Sequence, residues 1–289
     1  MSGWVLGVIG GSGVYDIEGL EKPSWRKAKS PFGEPSDALL TGRLGQTRLV
    51  FLPRHGRGHR LPPTAVNARA NIDVLKRAGC TDILSLSAVG SLRESLAPGD
   101  FVIVDQFIDR TFAREKSFFG PGLAAHVSMA EPVCPRLSSL AAQAARAAGA
   151  RVVEGGCYLA MEGPQFSTGA ESALYRSWGC DVIGMTNMPE AKLAREAELP
   201  YASVAMVTDY DCWHEEFAHV GVAQILSVLA ANADKARTLI AHLAAALPAR
   251  RAPSPIDTCL TGALITAPGS RDPQMVARLS AVAGRALKA

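Results

Sequence analysis

The chain alternates between short, almost wholly apolar runs and longer stretches in which apolar residues recur every three to four positions. The short runs are Val5 to Ile9, Thr47 to Leu52, Ile83 to Val89, Phe101 to Asp105, Asp181 to Met185 and Tyr201 to Val207. Most are closed by Gly, Pro or Asp and all are rich in branched or apolar residues, so they predict strands, and Arg151 to Met161 predicts another. Helical stretches lie between them. One runs from Ala65 to Ala78, with Thr64 as its cap and Gly79 as its stop. Others are Pro135 to Ala148, Ala170 to Trp178, a helix opened by Pro189, Val222 to Leu247, and a closing helix from Pro273 to Leu287. This order predicts an α/β fold with a central, largely parallel or mixed sheet and helices on its faces. Arg110 to Pro135 and Ala249 to Asp272 lack periodicity and are expected to wander. No linker divides the chain and no repeat recurs, so residues 1–289 read as one domain.

Composition narrows the class. With 48% hydrophobic and 20% charged residues and a net charge of +3, the 289-residue chain reads as a globular protein with a sizeable core. The six cysteines at 80, 134, 157, 180, 212 and 259 show no metal-finger spacing and predict free thiols in a reducing cytoplasm. No leader pattern and no bilayer-length apolar run is present, so neither export nor a membrane partner is expected. The one dense basic run, Arg54-His55-Gly56-Arg57-Gly58-His59-Arg60, lacks interleaved aromatics. It reads as a local anion site, not a nucleic-acid face, with a surface basic turn as the plainer alternative.

The first strand breaks into Gly10-Gly11-Ser12-Gly13, a turn suited to wrapping backbone N–H groups around phosphate. Its kind can be tested. A dinucleotide fingerprint fails because Asp16 stands where the third glycine belongs, and a P-loop fails because no lysine occurs before Lys22. What remains is a plain turn, or one that offers N–H groups and the Ser12 hydroxyl to a small anion. Other strand ends carry suitable partners: the Arg54 guanidinium with His55, the Ser87 hydroxyl with the Ala88 backbone, and Met185-Thr186. Together these could hold one phosphate without a helix-borne loop.

A second constellation, Thr208-Asp209-Tyr210-Asp211-Cys212-Trp213, follows the strand ending at Val207. Asp209 and Asp211 are two apart and face the same way in extended backbone. They could serve as acid and base, grip donors on a ligand, or lie in a solvated loop. No further cluster offers metal-ligand spacing, so no metal is expected.

At this point the chain closely resembles the methylthioadenosine phosphorylases of the trimeric purine nucleoside phosphorylase superfamily. The resemblance rests on "GVIGGSGVYD", "LPRHGRGHRLPPTAVNARANI", "SAVGSLRESLAPGDFVIVDQFIDRT", "MAEPVCP", "MEGPQFSTGAES", "WGCDVIGMTNMPEAKLARE" and "YASVAMVTDYDCW", in order from about residue 5 to 245. It implies that fold, a homotrimer, and phosphorolysis of a purine nucleoside with inorganic phosphate as co-substrate and no cofactor. By this resemblance phosphate falls to Ser12, Arg54, His55, Ser87, Ala88 and Thr186, the pentose to Met185, and the base to Phe166, Asp209 and Asp211. For the 5′ group it implies Val222, Ile225 and Leu226, with His126 from a neighbouring subunit. Periodicity alone would make the three apolar residues ordinary core. His59 and Trp213 read as structural or loop residues.

The implied chemistry passes through an oxocarbenium-like transition state, with phosphate beneath the sugar and Asp209 as general acid toward the purine. Related 6-oxopurine enzymes typically carry Asn at the Asp209 position and Glu at that of Ser167. Both positions here carry the 6-aminopurine version, which favours 5′-methylthioadenosine over 6-oxopurine nucleosides or methylthioinosine. An oxidoreductase and a non-catalytic purine sensor are the rivals of other classes. The chain departs from many relatives at Gly184 (Asn in some) and at Gly169 (Arg in many). Its segment from about 250 to 289 matches least and could close over the 5′ pocket.

Overall fold

The structure is a computed structural model that describes residues 3–11, 13–214 and 222–288, the side chains of 222–226 excepted. Its centre is built from the most apolar runs: β1 (Val5–Gly10), β4 (Thr47–Pro53), β5 (Asp82–Ser91) and β11 (Tyr201–Tyr210). β1 pairs in parallel with both β4 and β5, and β11 lies parallel to β5. Strands buried on both faces need no polar alternation, which is why apolar residues take successive positions in them, as in Val8-Ile9, Leu49 to Leu52 and Val204 to Val207.

Around them stand β2 (Glu21–Arg26), β3 (Leu39–Leu44), β6 (Phe101–Val104), β7 (Gln106–Asp109), β8 (Val152–Glu154), β9 (Cys157–Ala160) and β10 (Val182–Gly184). One path of the sheet runs β2-β3-β4-β1-β5-β10-β9-β7, while β11 joins β5 to β6 and β6 carries β8. The sheet is mixed: β10 runs antiparallel to β5, and β3 antiparallel to β4.

Alternate side chains divide the core into two layers. Ile9, Val50 and Leu52 pack with Ile72 and Leu75 of α1 (Ala68–Arg77) and Leu193 of α4 (Glu190–Glu196). Val8, Leu49 and Phe51 pack with Leu137 of α2 (Pro135–Ala147) and Leu239 and Leu243 of α5 (Val222–Ala246). α3 (Gly169–Ser177) covers a smaller cluster of Leu92, Leu159 and Ile183.

Several boundaries differ from expectation. Thr64 does not cap α1: a 3-10 turn at Pro63–Ala65 intervenes, and the Asn67 side chain accepts from Ala70 N instead. Thr64 Oγ1 donates to Glu162 Oε1 at 2.8 Å. The 151–161 strand is two strands, parted at Gly155-Gly156, so that β8 pairs with β6 and β9 with β7 and β10. The closing helix is broken into α6 (Pro273–Arg278) and α7 (Gly284–Leu287), because Leu279, Val282 and Ala283 turn inward onto the core. β2, β3 and β7 carry no signal: β2 is an exposed edge without alternation, and β7 an edge strand of only four residues, largely half-buried.

The C-terminal segment is fastened by charge. Asp82, wholly buried, meets Arg136 and Arg251, and Arg251 also grips Asp257 at 2.6 Å. No helix among the described residues is long and apolar enough to cross a membrane.

Candidate active site

Topology brings separate strand ends together. Gly10 and Pro53 are register partners, and Arg54 N donates to Gly10 O at 2.9 Å, so the glycine turn and Arg54 leave the sheet side by side. Because β10 runs against β5, with Ile183 opposite Gly90, the chain leaving Gly184 returns toward Ser87. Arg54, His55, Met185 and Thr186 line one narrow cleft, partly open to solvent.

Arg54 is held from beneath. Its Nε and Nη2 donate to Glu190 Oε2 and Oε1 at 2.9 and 3.1 Å, Nη2 reaches Ser85 Oγ at 2.6 Å, and Nη1 donates to Leu86 O at 2.9 Å. The two-pronged edge of the guanidinium thus faces a carboxylate, and one Nη1 proton is left for the cleft. Ser85 and Tyr201 also bind Glu190, each at 2.8 Å, and Asn187 extends the network to Ser203. Such a satisfied buried network fixes its members.

His55 stacks on His59, with ring centroids 4.3 Å apart. Burial and the neighbouring Arg54 charge push its pKa down to about 4, so the ring is neutral. Its Nδ1 lies 2.9 Å from Leu61 O, an acceptor, so Nδ1 carries the proton and Nε2 is left with a lone pair. Ser87 Oγ is buried without a hydrogen bond of ordinary geometry, while Ala88 beside it is exposed. A buried hydroxyl left in this way is an open valence for a ligand.

The two carboxylates converge at the far end of the same strand pair. A register shift between Val207 and Asp209 sets Asp209 opposite Gly90. A Cβ at Gly90 would stand 3.2 Å from Asp209 Oδ1 and 3.5 Å from Asp211 Cβ, so the glycine lets both approach. Bulges re-aim side chains in this way. Thr208 Oγ1 donates to Asp209 Oδ2 at 2.6 Å. Burial raises the pKa of both carboxyls; the Thr208 hydrogen bond opposes this at Asp209, and the Ser172 and Ser167 hydroxyls oppose it at Asp211. Ser167 is buried beside them, and Phe166 stands 82% exposed.

The "Phosphorylase superfamily" profile matches residues 5–245. The chain belongs to this superfamily, among the methylthioadenosine phosphorylases. The S-methyl-5′-thioadenosine phosphorylase of Cereibacter sphaeroides is 64% identical over 286 residues, 98% of this chain and 99% of its own. That of Rhodospirillum rubrum is 61% identical over 285 residues, 98% and 97% of the two chains. Among solved structures, a methylthioadenosine phosphorylase from an antarctic soil metagenomic library superposes with a TM-score of 0.93 at 44% identity, covering 98% of this chain and 99% of that one. The Schistosoma mansoni methylthioadenosine phosphorylase in complex with tubercidin gives 0.78 at 40% identity, covering 84% and 91%. The family and fold expected from the motifs are borne out.

Within this methylthioadenosine phosphorylase framework, Ser12 and the side chains of Val222, Ile225 and Leu226 lie outside the described residues. His126 is exposed, and its backbone N donates to Ala263 O at 2.9 Å. Its loop is therefore tied to the C-terminal segment, not to this chain's own cleft. Trp213 Nε1 donates to Ser91 O at 2.8 Å under the Arg176 guanidinium, and His59 is exposed on the turn, stacked on His55.

Sequence reasoning missed Glu190, Arg114 and Glu162. Glu190 opens α4, where an acidic residue is ordinarily explained by the helix dipole. Arg114, buried in the long aperiodic loop, donates to Met185 O and Met188 O, both at 2.8 Å, and to Glu162 Oε1 at 2.9 Å. It fixes the segment beside the cleft. An arginine inside an otherwise signal-poor loop was the only hint available.

Proposed function

We propose that this chain is the enzyme that cleaves 5′-methylthioadenosine with inorganic phosphate, giving adenine and 5-methylthioribose 1-phosphate. The observation that carries the reading is the placement, along β5 and at the end of β11, of a buried Ser87 hydroxyl without a hydrogen bond of ordinary geometry and of two carboxyls, Asp209 and Asp211, whose pKa burial raises. An anion site and a proton donor stand at opposite ends of a short stretch, as glycosyl transfer to phosphate requires.

Phosphate sits among the Ser12, Ser87 and Thr186 hydroxyls, the Ala88 backbone, Arg54 and His55. The neutral His55 accepts a hydrogen bond, through Nε2, from the P–OH of monohydrogen phosphate, which stays a dianion. The dianion attacks the anomeric carbon and offsets the positive charge that grows on the sugar. Met185 lies along the pentose and Phe166 against the base. Asp209, whose pKa burial raises, delivers a proton to the purine nitrogen that gains charge as the bond breaks. Asp211 accepts from the exocyclic amine, and Ser167 leaves room for it. The reaction calls for no cofactor and no metal ion.

Val222, Ile225 and Leu226 wall the 5′ group. His126 reaches a neighbouring copy's site in a homotrimer, which the exposed Phe112, Phe166 and Ile265 side chains support. The segment from about 250 to 289 closes over the 5′ pocket. The six free thiols suit a cytoplasmic enzyme.

The test is phosphate-dependent base release from methylthioadenosine and methylthioinosine, side by side. Adenine release should be the faster and should vanish without phosphate. Faster hypoxanthine release would instead assign a 6-oxopurine enzyme, and binding without turnover a purine sensor.

A further inference from the structure

Gly184 closes β10 immediately before Met185-Thr186. The space that a side chain there would occupy is filled by Tyr158 of β9. A Cβ on Gly184 would overlap Tyr158 Oη and lie only 2.8 Å from its Cζ. Tyr158 is wholly buried and cannot swing aside. Its hydroxyl lies 3.1 Å from Thr186 Oγ1 and accepts from Thr186 N at 3.4 Å. Burial raises the phenol's pKa, opposed by its hydrogen bonds with Thr186 and by the neighbouring Ser87 hydroxyl, so it stays protonated through the physiological range.

We propose that Tyr158 is a positioning residue for phosphate: its phenol, admitted by Gly184, donates to Thr186 Oγ1 and so turns the Thr186 hydroxyl hydrogen into the phosphate site. The direction follows from donor arithmetic. The phenol oxygen already receives the Thr186 N–H, and of the two hydroxyls near its own proton Thr186 Oγ1 meets hydrogen-bond geometry at 3.1 Å while Ser87 Oγ does not, so we assign the phenol as donor to Thr186. A hydroxyl that accepts on one side is free to donate on the other, and phosphate oxygens take what it donates. Orientation set in advance removes the cost of reorganising when the anion arrives. The same phenol stands next to Ser87 Oγ, the hydroxyl left without a partner, so one buried tyrosine borders two phosphate donors. Chains with a side chain at position 184 need another device there, because the phenol and that side chain exclude each other.

The inference rests on the proposed role of Thr186, and the experiment separates the two. Tyr158→Phe, Thr186→Val and the double variant are purified as full chains, and phosphate KM, nucleoside KM and melting temperature are measured for each. Tyr158→Phe keeps the ring and should raise phosphate KM about tenfold, the worth of one hydrogen bond, with nucleoside KM within twofold of the parent. Thr186→Val should raise phosphate KM at least as much, and adding Tyr158→Phe to it should change phosphate KM less than twofold. An unchanged phosphate KM in Thr186→Val overturns the site reading itself. A raised value there, with an unchanged one in Tyr158→Phe, overturns only the role of Tyr158. A lowered melting temperature with unaltered constants makes Tyr158 a core residue and nothing more. Should Tyr158→Phe not fold, Tyr158→Leu with Gly184→Ala fills the same space without a hydroxyl. The same tenfold rise is expected of it, and an unchanged phosphate KM counts against the proposal.

Discussion

Arg54 and Glu190 form a two-pronged ion pair inside the protein, at 2.9 and 3.1 Å, with both side chains almost hidden from solvent. Burial favours the neutral Glu190 carboxyl, but the guanidinium outweighs it and holds the pKa below its ordinary 4.5. Removing one partner strands a buried charge, which costs about 3–5 kcal/mol. Glu190→Gln is therefore expected to lower the denaturation midpoint strongly and to weaken phosphate binding, since Arg54 also holds Leu86 O next to Ser87. The pair's pH signature is acidic. Its contribution is present above the unfolded carboxyl's pKa and lost as pH falls through the lower folded one. Urea titrations of both proteins at pH 7 and pH 4 check this; equal midpoints at pH 7 would make the pair dispensable.

Asp209 supplies the chemical test of mechanism. A general acid is worth about a hundredfold or more, so Asp209→Asn should lose at least that factor in kcat on methylthioadenosine. Because burial raises its pKa, the proton is available at low pH and is lost as pH rises through that value. Parent kcat should fall on the alkaline side, and the variant's residual rate should lack that limb. Full activity in Asp209→Asn would remove Asp209 from the role.

How much of this was legible in the sequence depends on where each residue's partner lies. Val8, Phe51, Leu84 and Val204 sit in central strands whose continuous apolar runs announce themselves. Glu21 to Arg26, on an exposed edge with Pro23 and Lys22, carries no such pattern. Arg54 and Thr186 could be nominated because each follows a strand with polar chemistry where apolar residues precede it, and Ser87 because it stands shortly before Gly90, although β5 runs on past it to Ser91. Glu190 and Tyr158 could not. Glu190 meets Arg54 across 136 positions, and Tyr158 sits in an apolar run where a tyrosine passes for core. The orientation of β10 was also hidden: an antiparallel return brings Thr186 to Ser87, a relation that no local pattern encodes.

Glu196 introduces a dependence of stability on pH remote from the cleft. Its carboxylate accepts from Phe118 N at 2.6 Å and Ser117 Oγ at 2.7 Å, and no cation among the described residues pairs with it. Burial, only partly offset by these bonds, raises its pKa to about 7. The folded state therefore holds a proton that the unfolded state has already released between about pH 4.5 and 7. Stability from this group is greatest below that window, declines through it, and is flat above, for a total of about 3 kcal/mol. Glu196→Gln keeps an acceptor for the loop and removes the titration. Melting curves from pH 5 to 8 should show a shallower decline in the variant, with a higher melting temperature than the parent at pH 8. Parallel declines would place the titration elsewhere.

Base preference can be attacked at two residues together. An adenine amine needs an acceptor, whereas a 6-oxopurine offers a carbonyl that needs a donor and an N–H that needs an acceptor. Asp209→Asn supplies the donor and Ser167→Glu the acceptor. Asp211 complicates the second change, because its carboxyl lies beside Ser167 and both are buried. A glutamate there is a like charge, and one of the two acids must take up a proton. Ser167→Glu alone is thus expected to lower kcat/KM on methylthioadenosine without conferring hypoxanthine release. The double variant should raise the ratio of methylthioinosine to methylthioadenosine kcat/KM at least tenfold, since a mismatched buried polar group is heavily penalised. Its methylthioinosine activity should be greatest at mildly acidic pH, where the introduced carboxyl and Asp211 share a proton. A ratio unchanged from the parent would mean that the base is held by groups other than these two.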